Sequence, residues 1–215
     1  MTSPGRFCVC LIALSACGDD GNTTVDAPPD PCAPEMQVTG EYIDWDSTPS
    51  NFHGVFGAQF TLRGDATKTA STAPNGRFIL CVPAADGIID ITPMSGSNYV
   101  AGSLVVNKAV VQSGAMLSLR SFTTTRAADF GFSMTQAQVF VHVDGGTRTA
   151  STAATAGVQK HFENGTWLDG NTGTDIYLGN IDGQTTSLDV PNTSKGAGSI
   201  PLTAGAFTYV TVVAK

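Results

Sequence analysis

The chain is poor in charge. Only 13% of its 215 residues are charged, against roughly 25% in an average soluble protein. It holds no run of lysine or arginine, and its formal net charge is −7. A phosphate backbone needs clustered cations, so nucleic acid is excluded as an expected partner. An anionic membrane surface would not attract the chain either. Nor does any apolar stretch approach the ~20 residues that a membrane-spanning helix needs. Long 3.6-residue periodicity is missing as well, which argues against a helical fold. Histidine is scarce at three residues, and His53, His142 and His161 show no metal-ligand spacing. There is no G-x-S-x-G elbow and no phosphate-binding loop. The expectation is a non-enzyme with no cofactor.

What remains is rich in Thr, Ser, Gly and apolar residues, the last at 41%. That composition supports a packed core with hydroxylated strand faces and turns.

The first residues have their own pattern. Arg6 supplies a basic start, and Phe7 to Leu14 is a short apolar segment. Leu14-Ser15-Ala16-Cys17 then matches a bacterial lipobox. Residues 1–16 therefore read as a lipoprotein signal peptide, not a membrane span. Cys17 is the expected lipid acceptor, so membrane contact would come through covalent lipid. Gly18, in place of a retention Asp, points to the outer membrane of the cell envelope. Residues 17–35 are rich in Gly, Asp and Pro and read as a lipidated cysteine followed by a flexible tether. Of the five cysteines, Cys8 and Cys10 leave with the signal peptide and Cys17 carries lipid. Cys32 and Cys81 remain, as a disulfide in an oxidising compartment or as two thiols.

The rest of the chain repeats itself. Thr67 to Ala73 reads TKTASTA and Thr147 to Ala153 reads TRTASTA. Ala58-Gln59-Phe60 echoes Ala137-Gln138-Val139-Phe140. FILCVPAADG and DITP parallel IYLGNIDG and LDVP. Ala101-Gly102-Ser103 parallels Ala197-Gly198-Ser199, and Gly114-Ala115-Met116 parallels Gly205-Ala206-Phe207. The shared order predicts a duplicated unit. The second copy carries an insertion at about 154–174. Short alternating segments bounded by Gly, Asn, Asp and Pro predict an all-β chain. The expected organisation is two tandem Greek-key β-sandwich domains, 36–122 and 123–215.

The first copy resembles the carboxypeptidase regulatory-like domain, a transthyretin-like β-sandwich. The likeness rests on Val38-Thr39-Gly40, Gly57-Ala58-Gln59-Phe60-Thr61-Leu62, Thr72 to Leu80 with Asn75-Gly76 and Phe78, Val82-Pro83, and Asp90-Ile91-Thr92. Asn75-Gly76 reads as a type I′ hairpin turn. The family's usual closing Gly-Tyr is replaced by Asn98-Tyr99. The resemblance implies a non-catalytic module that serves folding, spacing or interaction with another protein or an envelope component.

Candidate sites are few. His142 lies opposite Val139, Val141 and Val143 in VFVHVD and reads as a solvent-side strand residue. Asp44 and Asp46 flank Trp45 as solvated loop carboxylates. Within the insertion, Asp169, Asn171 and Asp175 place oxygen ligands on a glycine-bent loop, a weak calcium pattern. No closing Glu follows, and an ordinary turn into a strand fits the same residues. Trp167 stacks on a sugar or partner, or covers one end of the sandwich; the usual burial of tryptophan argues for the second. The alternative function is thus carbohydrate- or calcium-dependent recognition through Trp167 and the Asp169–Asp175 loop.

Overall fold

The computed structural model describes residues 31–194 and 196–215. The signal peptide, Cys17 and most of the tether lie outside the described residues. The first half contributes β1 (Met36–Asp44), β2 (Gln59–Leu62), β3 (Thr69–Ser71), β4 (Arg77–Val82), β5 (Gly87–Thr92) and β6 (Gly102–Val106). A short helix α1 (Lys108–Gln112) and β7 (Leu117–Ser121) follow. Helix α2 (Thr124–Asp129) leads into the second half. That half contains β8 (Ala137–Asp144), β9 (Arg148–Thr149), β10 (Ser151–Thr152), β11 (Val158–Glu163), β12 (Thr166–Asp169) and β13 (Thr172–Gly173). It closes with β14 (Asp175–Ile181), β15 (Thr185–Val190), β16 (Gly196–Pro201) and β17 (Phe207–Val213). Both helices are single turns, started by the Asn107 and Thr123 side chains accepting backbone N–H bonds. No helix among the described residues is long and apolar enough to cross a membrane.

The two halves share one pairing scheme. In the first, β1 pairs antiparallel with β4 and parallel with β7. In the second, β8 pairs antiparallel with β14 and parallel with β17. The hairpin of β5 and β6 has its counterpart in β15 and β16. Four of the sequence echoes fall on or immediately before equivalent strands: β4 with β14, β5 with β15, β6 with β16, β7 with β17. Two do not. Ala58-Gln59-Phe60 lies at β2, whereas Ala137 to Phe140 lies in β8, the counterpart of β1. The TASTA segments also differ, because β3 pairs with β2 whereas β10 pairs directly with β15.

The halves are not separate sheets. One nine-stranded sheet runs β12-β11-β14-β8-β17-β6-β5-β2-β3. The junction is a parallel pair between β17 and β6, Phe207 opposite Gly102 to Val210 opposite Val105. The sheet of β4, β1 and β7 covers one face, and the sheet of β10, β15 and β16 covers the other. The boundary expected at residue 122 therefore divides strands that share one sheet and one core. Phe140, Tyr177, Phe207 and Tyr209 of the second half belong to the core that contains Val38, Tyr42, Phe60 and Leu119 of the first. Tyr42 meets Tyr209 edge-on at 6.1 Å, a favourable aromatic geometry. The opposite faces of β8, β14 and β17 fill a second core through Val139, Val141, Ile176, Leu178, Val210 and Val212.

Local chemistry explains the turns. Ala73 to Gly76 is closed by Gly76 N–H donating to Ala73 C=O at 2.8 Å, with φ positive at Gly76 but not at Asn75. A type I′ turn requires two positive φ values, so the expected turn type is not the one formed. A Cβ at Gly76 would lie 2.3 Å from the Tyr42 carbonyl oxygen, which excludes other residues there. The two-residue turn with both φ positive is at Asn164-Gly165, joining β11 to β12.

Cys32 and Cys81 form a disulfide with Cα atoms 5.2 Å apart. Cys32 is buried, and Lys68 Nζ donates to Glu35 at 2.5 Å. Residues 31–35, expected at the end of the tether, are thus bonded into the fold.

Candidate functional site

The most distinctive polar cluster lies where the halves meet. On β7, Leu117 and Leu119 face the core while Arg120 points the other way. It is buried nonetheless, because the β11–β12 hairpin covers it. The guanidinium carbon sits 3.9 Å from the Phe162 ring centroid. Arg120 Nε donates to Asp175 Oδ2 at 2.6 Å, and Nη1 donates to the carbonyls of Ser47 at 2.8 Å and Trp45 at 3.3 Å. Asp175 Oδ1 accepts from His142 Nδ1 at 2.6 Å. An ionised carboxylate only accepts, so His142 Nδ1 carries a proton in this pair. Side-chain exposure is 8% for Arg120, 8% for Asp175 and 19% for His142.

Burial pulls the Asp175 carboxyl pKa upward. The hydrogen bond and charge of His142, then those of Arg120, outweigh it, and the carboxyl lies below its ordinary value. Arg120 comes from the first half, as do the Ser47 and Trp45 carbonyls it bonds, whereas Asp175, His142 and Phe162 come from the second. The ion pair therefore fixes the relative placement of β7, β8 and β14. Breaking such a pair strands a buried charge, which is why the arrangement is stiff.

His142 does lie opposite Val139, Val141 and Val143, but that face is not solvent. It is covered by the first half, which the single-copy reading of an exposed strand face did not foresee. Asp44 is also no free surface carboxylate. It accepts a hydrogen bond from the Tyr99 hydroxyl, and its own partial burial raises its pKa.

Trp167 is half-buried on β12. Its Nε1 donates to the Trp45 carbonyl at 3.0 Å, and its ring lies 5.6 Å from Phe122, 5.7 Å from Phe130 and 5.2 Å from Phe162. It covers the end of the shared core and ties the insertion to the first half. The side chains proposed for calcium go to separate partners. Asp169 accepts from Lys160 Nζ at 2.6 Å, which lowers its pKa, and is 91% exposed. Asn171 Nδ2 donates to the Ala150 carbonyl at 2.8 Å. Asp175 is held by Arg120 and His142. No group of three His, Cys, Asp or Glu side chains placed for a metal occurs among the described residues.

Beside the Arg120–Asp175 pair opens a cleft of about 550 Å³. Its walls are residues 48–50, Arg120, Thr147, residues 161–165 and residues 172–175. Trp167 is not in the wall; it backs Phe162. Sequence reasoning did not single out Arg120. The available signal was a lone cation inside the alternating strand LSLRS, whose counter-ion is distant in sequence.

No protein-family model matches the chain, and no curated protein matches it. Several solved structures align over most of it. The shaft pilin SpaA from Lactobacillus rhamnosus GG (D295N mutant) aligns over 84% of this chain and 98% of its own, at 9% identity and a TM-score of 0.31. A streptococcal ancillary pilin aligns over 83% and 68%, at 10% identity and a TM-score of 0.25. The pilus 2b backbone protein of group B streptococcus aligns over 83% and 91%, at 8% identity and a TM-score of 0.24. Likenesses this distant carry no statement about function.

Proposed function

We propose that this chain is a non-catalytic structural or protein-interaction module of the bacterial cell envelope, lipid-anchored in the outer membrane. The observation that carries the reading is the Cys32–Cys81 disulfide. Disulfides persist in oxidising compartments, which fits an exported chain. Its position adds a mechanical sense. Cys32 stands just before the first strand, and Cys81 sits on β4, which is paired along β1. Tension on an N-terminal anchor would pass into β4 through a covalent bond. It would not have to load β1, the central strand of β4-β1-β7, alone. Cys17 is the proposed attachment point, with residues from 18 onward as the spacer.

The finer assignments belong to the same proposal. The halves are read as two copies of one Greek-key sandwich unit. The first is read as a carboxypeptidase regulatory-like module; its motif residues fall on β1, β2, β4 and β5, which supports the reading.

Metabolic labelling with a fatty acid, followed by cell fractionation, tests the anchor. Wild-type protein should carry label and pellet with the outer membrane, and Cys17→Ser should lose both. A Cys17→Ser protein that stays membrane-bound would overturn the proposal.

A further inference from the structure

We infer that the cleft beside Arg120 is a binding site for a neutral saccharide. Its volume of about 550 Å³ lies within the roughly 300–1,000 Å³ range of small-ligand sites. The placement is informative. Much of the wall, residues 161–165 and 172–174, belongs to the insertion that the first half lacks. The pairing of β8 with β14 and β17 repeats that of β1 with β4 and β7, which forms without such a segment. The insertion thus adds a concave surface to a sheet arrangement that does not require it.

The lining chemistry selects the class of ligand. Thr48, Ser50, Thr147, Thr172 and Thr174 line it. Thr48 and Ser50 bond each other at 3.2 Å and Thr172 bonds Thr149 at 2.8 Å, and a hydroxyl with one such bond still has capacity for a ligand. Asn164 adds an amide. Arg120 has Nε and Nη1 committed to Asp175, Ser47 and Trp45, which leaves the Nη2 hydrogens for a ligand oxygen. Its charge is already balanced by Asp175 at 2.6 Å. An incoming phosphate, sulfate or carboxylate therefore meets an Arg120 charge that is already paired, and Glu163, 58% exposed and 3.7 Å from His161 Nε2 in the same wall, disfavours it. A metal cation meets Arg120 and scattered carboxylates. A ring bearing several hydroxyls matches the donors and acceptors, and Phe162 and Pro49 supply apolar surface for its C–H face.

The test uses full mature protein in a detergent without a sugar headgroup. Saturation-transfer NMR is run with a panel of neutral mono- and disaccharides and with their sulfated and carboxylated counterparts. At least one neutral sugar should show transfer at millimolar concentration. Ser50→Trp fills the cleft mouth from an exposed loop and should weaken binding at least about tenfold. Arg120→Lys keeps the charge, removes the fork and should weaken binding too. If it misfolds by near-ultraviolet circular dichroism, Ser50→Trp still decides. Absence of transfer from every neutral sugar overturns the inference. So does a preference for the anionic forms, and so does binding that survives Ser50→Trp.

Discussion

The strands β1, β4 and β7 and the strands β8, β14 and β17 are paired alike and buried differently. Along β1, buried and half-buried residues mostly alternate, and β4 leaves Ile79 57% exposed on its outer face. Along β8, β14 and β17 nearly every residue is buried. The cause is the parallel pair between β17 and β6. It extends the first half's sheet with the second half's central strands, and these then lie between two covering layers. One face packs Phe140, Tyr177, Phe207 and Tyr209, and the other packs valines, isoleucines and leucines. A pairing diagram alone does not say whether a sheet face meets water. Its neighbours across the sheet decide that.

The comparison implies that damage to the second half must reach the first. Phe140 is 1% exposed in a core built mostly from first-half residues. Phe140→Ala should cost about 3–5 kcal/mol. Chemical denaturation followed by probes in both halves should show one shared transition, shifted down. Two separate transitions would break the comparison.

Asp175→Ala should come next, at about 3–4 kcal/mol, because it leaves Arg120 buried without its counter-ion. The pH dependence follows from the lowered carboxyl pKa. Stabilisation by this group is full above the unfolded value of about 3.9. It is lost as pH falls through that value towards the lower folded one. Thermal melts across the acid range should fall more steeply for wild type than for the variant. Equal slopes would show that the pair does not hold the halves together.

Removing the disulfide acts through the first half alone. Replacing Cys32 and Cys81 together by serine should cost about 2–4 kcal/mol. Hydrogen exchange should then rise along β1 and β4 before it rises along β8 and β17. Uniform loss of protection would count against distinct roles for the two triplets. Smallest is Trp167→Phe, which keeps most of the apolar cover and loses the bond to the Trp45 carbonyl. About 1 kcal/mol is expected, with the loosened hairpin seen as faster exchange at β11. An unchanged hairpin would mean that Phe162 beneath Arg120 suffices to hold it.

How much of this was legible beforehand differs from residue to residue. Alternation in RFILCV placed Phe78, Leu80 and Val82 in the core, and the structure puts them there. The same reasoning put His142 in water, because one strand's period shows two faces but not what covers each. Asn75-Gly76 has the dipeptide of a two-residue turn, yet the backbone places only Gly76 at positive φ; Asn164-Gly165 has the same dipeptide and forms that turn. The dipeptide was identical, but β11 and β12 pair with each other, whereas β3 and β4, which flank Asn75-Gly76, belong to different sheets.

The sequence by itself determined the all-β class, the short turns between strands, and the echoes, four of which accompany equivalently paired strands. These follow from period, turn chemistry and repetition, which are local and readable along the chain. Only the tertiary structure decided that the two halves share a sheet, that Arg120 finds Asp175 and His142, and that a cleft opens beside them. Those facts depend on which strand edge meets which and on what then shields each face from water. Edge pairing between distant segments rests on backbone hydrogen bonds that every residue but proline can make, so it leaves little trace in the identity of the side chains.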